Sequence, residues 1–334
     1  MSIIAMAAGP RLRSLFFPGD LWDALASLGQ LRLPPDDADL SDVATFVRLL
    51  DGAEVVVTTW GCAPLSEEVL AAAPRLRLLA HTGASVKAYA TPACFARGVR
   101  VTQAGDAMEY AVGEQALALT LALLHRLHRF DHALRSGVHW AAAKTAPPRR
   151  ELRDSVVGVV GASRTGRAYI ALVRALGARV LVFDPYLSAE EAVELGVARV
   201  GLDELMSSAR VVSLHAPVLP ATVGMVGARE LALMPDGGLL VNTARSLLVD
   251  SDALLAALRT GRLDAALDVF DEEPLPVDHP LRALPNVLLT PHEAAGTVES
   301  RRRAGEIVVA EVARFLRGEA LHHEVTPELL DRMG

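Results

Sequence analysis

Short apolar runs alternate with amphipathic segments along most of the chain. Apolar runs bounded by turn residues predict strands at residues 2–6, 54–58, 76–80, 156–160, 179–183, 210–215, 238–242, 263–268 and 287–290. Segments with helical spacing predict helices at residues 20–28, with Asp20 as the cap, and at 42–50, 66–73, 109–136, 251–259 and 297–316. Because strands and helices alternate, the pattern predicts an α/β fold with parallel sheets.

The predicted helix at residues 109–136 is apolar on most of its circumference. Such a helix is buried, either in a core or against a second subunit. His125, His128 and His132 lie three and four residues apart on it, so they would share one face. We interpret that face as partly exposed or as part of an interface, since no second ligand cluster accompanies it to suggest a metal site. Residues 137–153 are predicted to be an irregular crossing segment.

Length and charge narrow the class of protein. A chain of 334 residues suggests two domains, and its formal charge of −7 offers no attraction to nucleic acid or an anionic membrane. The two cysteines, Cys62 and Cys94, form no metal or disulfide pattern, which suits a reducing cytosol. The apolar run at residues 3–8 is too short for a membrane span and lacks the charged start of a secretion signal. We therefore expect a cytoplasmic protein.

The stretch from Val156 to Asp184 carries the clearest binding motif. A β-branched run leads into a turn at Gly161, and Gly166 opens an Ala/Leu-rich helical run. The amides and positive dipole end of such a helix suit a pyrophosphate. Asp184 ends the next predicted strand, where a carboxylate can accept bonds from a ribose and would repel a 2′-phosphate, which favours NAD over NADP. Ser163 replaces the second glycine of the usual pattern, where its side chain would crowd the phosphates.

A glycine pattern alone is weak evidence, and a turn between a strand and a helix that binds no ligand is the simpler alternative. The ordered series of strand, turn, helix, strand and acid favours dinucleotide binding. In parallel sheets, ligands meet the loops at the carboxyl ends of the strands. Among the N-terminal elements, those loops are 59–61 and 82–84, which we expect to face a substrate.

Four segments in this order resemble the D-isomer-specific 2-hydroxyacid dehydrogenases. They are the turn at Gly161, Val-Asn-Thr-Ala-Arg at 241–245, Ala-Leu-Asp-Val-Phe-Asp-Glu-Glu-Pro at 266–274 and Thr-Pro-His at 290–292. The resemblance implies two flavodoxin-like or Rossmann-like domains with the active site between them. It implies a discontinuous substrate domain at residues 1–106 and 296–334, and an inserted NAD-binding domain at 107–295. It also implies a homodimer joined through the cofactor domain.

By this resemblance three residues carry the chemistry of interconverting a 2-keto acid and a D-2-hydroxy acid. His292 would be the acid/base that carries the proton of the substrate oxygen. Glu273 would hydrogen-bond His292, stabilise its charged form and fix the ring orientation. Arg245 would grip the substrate carboxylate bidentately, which a lysine cannot do. Taken singly, each could instead be a solvated loop residue or a turn cap; their occurrence together favours the catalytic interpretation.

The resemblance also implies binding residues for the cofactor and the substrate, and no metal. The implied NAD contacts are Gly161, Ser163, Arg164, Thr165, Gly166, Asp184, His215, Ala216, Pro217, Thr222, Thr243, Ala244, Arg245, Asp268 and His292, with Asp268 at the nicotinamide end. The implied substrate contacts are Trp60, Thr82, Gly83, Ala84 and Arg245. His81 lies beside this loop, where a structural role is favoured over a substrate contact.

Several positions depart from the family pattern. Ser85, Ser163 and Ser246 stand where relatives often carry glycine, and serine tolerates a positive φ poorly, so we expect these loops to be reshaped. Trp60 stands where phosphoglycerate dehydrogenases carry an arginine, and with Met108 it suits an apolar or small acid and argues against 3-phosphoglycerate. The lost glycines support an alternative function, a non-catalytic NAD-sensing protein on the same fold. A formate dehydrogenase is a weaker alternative, because those enzymes typically carry glutamine where this chain has Glu273.

Overall fold

The computed structural model describes residues 1–145 and 147–333. The chain divides into two compact units, a first unit of Met1–Met108 with Gly296–Met333 and a second unit of Glu109–Ala295. In the part of the chain that is described, no helix is long and apolar enough to cross a membrane.

The first unit begins with alternating strands and helices. They are β1 (Ile3–Ala7), α1 (Pro10–Phe16), α2 (Gly19–Leu28), β2 (Gln30–Arg32), α3 (Val43–Leu50), β3 (Val55–Thr58), α4 (Glu67–Ala72), β4 (Leu78–His81), α5 (Pro92–Ala96) and β5 (Arg100–Thr102). The strands form a parallel sheet of order β2-β1-β3-β4-β5. Alternate residues of β1 enter opposite cores, Ala5 and Ala7 on one face and Ile4 and Met6 on the other. Helices therefore cover both faces of the sheet, as a buried parallel sheet requires.

The second unit contains a longer parallel sheet. Its elements are α6 (Glu109–Leu124), α7 (Leu127–Arg135), α8 (Trp140–Ala143), β6 (Val156–Val160), α9 (Arg164–Ala175), β7 (Arg179–Phe183), α10 (Ala189–Leu195), β8 (Ala198–Arg199), α11 (Leu202–Ser208), β9 (Val211–Leu214), α12 (Ala228–Leu233), β10 (Leu239–Asn242), α13 (Ser251–Arg259), β11 (Asp264–Leu267) and β12 (Val287–Leu289). The strand order is β12-β11-β10-β9-β6-β7-β8, and neighbouring strands run parallel. Two further helices, α14 (Val298–Leu316) and α15 (Pro327–Arg332), belong to the first unit.

The predicted α/β fold with parallel sheets is confirmed, and most predicted elements differ from the observed ones only at their ends. Three residues predicted to begin helices lie just before them as N-caps, namely Asp42, Ser66 and Thr297. Each accepts a hydrogen bond from a backbone amide in the first turn. The prediction that Asp20 caps a helix was wrong. Pro18 holds the cap position of α2, and Asp20 lies in the first turn and pairs with Arg302.

The prediction of a single helix over residues 109–136 was also wrong. It is two helices, α6 and α7, because Arg126 adopts a left-handed conformation with φ of 58° between them. The guanidinium of Arg126 donates to Asp264 over 2.6 Å, and the next turn brings His128 to the same carboxylate at 3.2 Å. His128 is buried while His132 is exposed, so the three histidines do not form a shared exposed face. The segment predicted to be irregular contains the short helix α8.

Candidate active site

The topology of the second unit places two loops side by side. The chain runs from β6 outward through β7 and β8 and then returns to β9 on the other side of β6. Parallel α/β sheets bind ligands outside the carboxyl ends of the strands at such a switch point. Gly161 follows β6 with φ of 96°, and a Cβ there would lie 2.6 Å from the amide nitrogen of Ala216, which follows β9. Only glycine fits a turn packed this closely against the neighbouring loop.

The hydroxyl of Ser163 belongs to this turn. It donates to the carbonyl oxygen of His215 over 2.8 Å and lies 3.4 Å from the amide of Gly166, which it caps. The side chain is therefore engaged with the loop after β9, and the expectation that it crowds a phosphate stays a prediction. The amides of Arg164 and Thr165 open α9, where an α-helix has no internal acceptors for its first donors. Together with the helix dipole, they make this end suitable for an anion.

The carboxylate of Asp184 lies directly beside the turn. Its two oxygens accept from the amides of Ala162 over 2.7 Å and Tyr186 over 2.8 Å. Each carboxylate oxygen can accept more than one hydrogen bond, so the group retains capacity for a ribose hydroxyl. Asp184 thus holds the turn in place and also presents negative charge next to it.

His215 is buried under the same loops and is uncharged. Its ring nitrogens lie 2.8 Å from the hydroxyl of Ser213 and 3.4 Å from that of Thr165, and its ring packs on Tyr169 at 5.2 Å. Burial lowers the pKa of His215 to about 3. In the following loop, the Thr222 hydroxyl donates to the carbonyl oxygen of Pro217 over 2.7 Å, which closes the loop on itself.

Arg245 follows β10 in a loop fixed by Asn242. The Asn242 side chain accepts from the amide of Ala244 over 3.0 Å and donates to the carbonyl oxygen of Arg245 over 2.8 Å. Thr243 is buried in this turn. Burial lowers the pKa of Arg245, and the nearby charge of Glu273 opposes that effect. A guanidinium stays protonated near neutral pH even so, because its ordinary pKa is far above that range.

The hydrogen bond between Glu273 and His292 is present in the structure. Nδ1 of His292 lies 2.6 Å from one carboxylate oxygen, and the other accepts from the amide of Phe270 over 2.9 Å. His292 is partly exposed and has φ of 53°, a left-handed conformation that is uncommon for a residue with a side chain. Such strain occurs often at functional sites. The pair leaves Nε2 of His292 as the nitrogen that a substrate could use.

Asp268 anchors the loop that carries His292. It is fully buried at the end of β11, and its two oxygens accept from the Thr290 hydroxyl at 2.5 Å and from the amides of Glu293 at 3.1 Å and Ala294 at 2.9 Å. These bonds span the residues on both sides of His292. Sequence reasoning assigned Asp268 to the cofactor and missed this anchoring role, although a buried acid directly after a strand is a signal for such a role.

Within the first unit, the loops expected to bind substrate also follow strand ends. Trp60 lies after β3 and is 49% exposed, and Thr82 follows β4 with its amide donating to the carbonyl oxygen of Thr58 over 3.0 Å. Gly83 accepts from the amide of Ala104 over 2.9 Å, and Ala84 is partly buried.

The backbone at the three serine positions is unstrained, and the expectation that these loops are reshaped relative to the family stays a prediction. In the described ranges 1–145 and 147–333, the residues other than glycine with positive φ are Arg126, Asp154 and His292. Ser85, Ser163 and Ser246 therefore occupy conformations that any residue adopts. None of the three positions requires a glycine in this structure, so the non-catalytic sensor is not favoured.

Three comparisons identify similar proteins. The family model for the NAD binding domain of D-isomer specific 2-hydroxyacid dehydrogenases matches residues 117–294. The D-3-phosphoglycerate dehydrogenase of Mycobacterium leprae is 39% identical over 253 residues, which cover 75% of this chain and 47% of that protein. The glyoxylate reductase of Korarchaeum cryptofilum is 34% identical over 270 residues, covering 80% of this chain and 81% of that protein. The crystal structure of the TT0316 protein from Thermus thermophilus matches with a TM-score of 0.84 and 31% identity over 98% of this chain and 100% of that one. The chain spans about half the length of the phosphoglycerate dehydrogenases that it matches.

Proposed function

Because the chain belongs to the D-isomer-specific 2-hydroxyacid dehydrogenase family, we propose that it interconverts a 2-keto acid and a D-2-hydroxy acid with NAD. The observation that carries the proposal is the 2.6 Å bond between Glu273 and His292, with Arg245 close enough for the charge of Glu273 to act on it. An acid/base pair and a guanidinium are the groups that this reaction requires.

His292 is the acid/base in this proposal. Bound NADH would supply the hydride that reduces the carbonyl carbon of a keto acid, and Nε2 of His292 gives a proton to the carbonyl oxygen. In the reverse direction, the same nitrogen takes the proton from the hydroxyl. Glu273 holds Nδ1 and is itself held by the amide of Phe270, so the ring cannot rotate freely and the imidazolium that forms is stabilised.

Arg245 binds the substrate carboxylate and polarises the adjacent carbonyl. Arg245 is partly buried, which strengthens its interaction with an anion relative to one in water. The Asn242 turn fixes the backbone from which the side chain starts. We assign the remaining substrate contacts to Trp60, Thr82, Gly83 and Ala84.

The residues around the β6–β9 switch point fit NAD. The Gly161 turn and the amides of Arg164 and Thr165 would hold the pyrophosphate, and Asp184 would accept from the adenosine ribose. His215 is uncharged, so it adds no positive charge that would attract a 2′-phosphate. The remaining proposed contacts lie in the loops at the same edge of the sheet: Ser163, Gly166, Ala216, Pro217, Thr222, Thr243 and Ala244. On this assignment the second unit is the cofactor domain and the first unit the substrate domain.

We further propose that the protein is a cytoplasmic homodimer joined through the second unit. Five apolar side chains between residues 110 and 140 are more than 40% exposed, namely Tyr110, Leu127, Leu134, Val138 and Trp140. Leu127 and Leu134 are seven residues apart on α7 and share a face of that helix. Apolar groups exposed in this way are characteristic of an interface.

The test is NADH oxidation with a panel of 2-keto acids, repeated with NADPH. We expect turnover with NADH in preference to NADPH, because Asp184 would repel the 2′-phosphate. We expect the turnover number kcat to fall by about 10²–10⁴-fold in His292→Ala and to fall strongly in Glu273→Gln, since both remove acid/base catalysis.

His322→Ala is the matched control, because His322 is a histidine of the first unit outside the proposed site. It should retain full activity. NADH binding without turnover of any acid would refute the dehydrogenase and favour the non-catalytic NAD sensor. Turnover that survives His292→Ala would refute the assigned acid/base.

A further inference from the structure

The first unit has its own switch point, and Trp60 lies at it. The chain leaves β1 to form β2 on one side and then returns to form β3 on the other, so the point of reversal lies between β1 and β3. The carboxyl end of such a point is where open parallel sheets bind ligands. The amide of Thr59 donates to the carbonyl oxygen of Ala7 across this boundary, and Trp60 is the next residue.

The ring of Trp60 is the exposed face of an aromatic cluster. It packs on Phe16 of α1 at 5.7 Å and edge-on against His81 at 6.0 Å, and His81 packs on Tyr89 at 4.8 Å. Phe16, His81 and Tyr89 are buried, whereas Trp60 is half exposed. Two buried rings, Phe16 and His81, thus contact Trp60, and Tyr89 supports the second of them. A large apolar surface held in this way lowers the entropy cost of binding to it.

The glycine of the neighbouring loop allows this packing. A Cβ at Gly83 would lie 2.5 Å from Nε2 of His81 and 3.3 Å from Cζ2 of Trp60. The backbone after β4 therefore rests directly on the aromatic cluster. The two loops expected to contact substrate in this unit form one packed surface.

The aromatic rings of this surface carry no positive charge. Burial lowers the pKa of His81 to about 4, and its Nδ1 is 2.9 Å from the hydroxyl of Thr58. Of the two cations on α1, Arg13 is paired with Asp36 at 2.9 Å, and Arg11 is exposed in the first turn. Lys87 is an exposed residue beyond the loop. An uncharged rigid ring attracts apolar groups by burial of surface and offers nothing to offset the hydration of a phosphate.

We propose that Trp60 determines the specificity of the dehydrogenase and selects 2-keto acids with a bulky apolar side chain, aromatic or branched. This rests on the proposed function. It goes further because it excludes the phosphorylated substrate named for the 39% identical relative from Mycobacterium leprae. It also excludes the smallest acids, which cannot cover the indole ring.

The experiment compares kcat/KM for phenylpyruvate, 4-methyl-2-oxopentanoate, pyruvate, glyoxylate and 3-phosphooxypyruvate with NADH. The first two should exceed pyruvate by about tenfold or more, because each extra buried methylene group contributes about tenfold or more to discrimination. The phosphorylated acid should be the poorest substrate. In Trp60→Ala, kcat/KM for phenylpyruvate should fall about tenfold through KM, while that for pyruvate changes little.

Trp60→Phe should retain most of the preference, since it keeps an aromatic ring. Leu33→Ala is the matched control, because Leu33 is an apolar residue of the same unit that is exposed to a similar extent (43%) but follows the edge strand β2. Lys87→Met tests the competing assignment, in which this lysine binds a phosphorylated acid. The proposal would be overturned if the wild type prefers 3-phosphooxypyruvate and Lys87→Met loses its turnover.

Measurements of substrate binding distinguish a failure of the proposed specificity from a failure of the proposed dehydrogenase function. Calorimetry with NAD present, in wild type and His292→Ala, should give tighter binding of phenylpyruvate than of pyruvate, and Trp60→Ala should remove the difference. If this preference appears without turnover, the dehydrogenase is refuted and the specificity stands. If both acids bind equally, or pyruvate binds more tightly, the specificity is refuted even in an active enzyme.

Discussion

At the residue scale, the proposed chemistry depends on a backbone conformation that histidine rarely adopts. His292 has φ of 53°, and the bonds from residues 290, 293 and 294 to Asp268 surround it on both sides. A strained conformation persists only where its surroundings fix it, and these bonds provide that constraint. Asp268 is therefore a positioning residue that acts through His292.

Asp268→Asn tests this role. The amide replaces a carboxylate oxygen by an NH₂ group, which cannot accept from the backbone amides, so the loop should relax and displace His292. We expect kcat to fall by on the order of 10²-fold, as for a misplaced catalytic group. The KM for NADH, and the NADH dissociation constant measured by fluorescence titration, should stay close to the wild-type values.

A rise in the NADH dissociation constant with kcat unchanged would contradict positioning and favour the nicotinamide contact implied by the family resemblance. Asp271→Asn is the matched control. This neighbouring acid bonds only one side chain in the part of the chain that is described, the hydroxyl of Ser251 at 2.5 Å, and should leave kcat unchanged.

Residue types in the site were predictable from sequence, but their local constraints were not. The Gly161 turn and the spacing from Glu273 to His292 are carried by neighbouring residues and by family motifs. The bond from Ser163 to His215 joins residues 52 positions apart, and the anchoring of residue 294 by Asp268 spans 26. Such contacts follow from the tertiary fold, which no local pattern encodes.

At the element scale, the break between α6 and α7 also could not be predicted from the sequence. Neither glycine nor proline occurs at residues 125–127, so the sequence contains no signal for the break. Its cause is Asp264, whose carboxylate bonds Arg126 at 2.6 Å, Arg129 at 2.8 and 2.9 Å and His128 at 3.2 Å. The strand positions were predictable because β-branched runs mark buried strands. The helix break was not, because it is set by a partner 138 positions away.

Asp264→Asn should therefore destabilise the second unit without changing the chemistry. Removing the buried charge leaves Arg126 and Arg129 unpaired, a loss that costs about 3–5 kcal/mol in the free energy of unfolding. Asp264 begins β11, at the end opposite the carboxyl ends that carry Arg245 and His292, so kcat should be unchanged. Urea denaturation at pH 7 measures the first quantity and the keto-acid assay the second.

The stability that Asp264 contributes should be lost at low pH. Burial alone would raise the pKa of Asp264, but the hydrogen bonds from Arg129 and His128 and the charge of Arg126 outweigh it and hold the pKa well below its ordinary value. A lowered carboxyl pKa stabilises the fold above the unfolded pKa of about 4 and ceases to do so as the pH falls below that value. The difference in stability between wild type and Asp264→Asn should shrink over that range. Asp203→Asn, which breaks an exposed pair with Arg229, is the control and should change little at any pH.

At the scale of the whole molecule, the exposed apolar residues of α6, α7 and α8 predict self-association. α7 places Leu127 and Leu134 on one face, exposed by 57% and 45%, and α8 adds Trp140 at 64%. Burying such a face against a second copy would remove apolar surface from water, which is favourable at about 25 cal/mol per Å². We expect the protein in solution to have twice the chain mass of 35.5 kDa.

The double variant Leu127→Glu with Leu134→Glu should convert this dimer to a monomer, because two carboxylates cannot be buried in an apolar contact without partners. Light scattering after size exclusion measures the mass, and circular dichroism should show that each chain keeps its helix and strand content. Val193→Glu is the matched control, since Val193 on α10 is 79% exposed but lies outside residues 110–140. A wild type that is monomeric at micromolar concentration, or a dimer that survives the double variant, would rule out this face as the interface. A variant that loses its dimer yet keeps kcat would show that each subunit completes its own reaction.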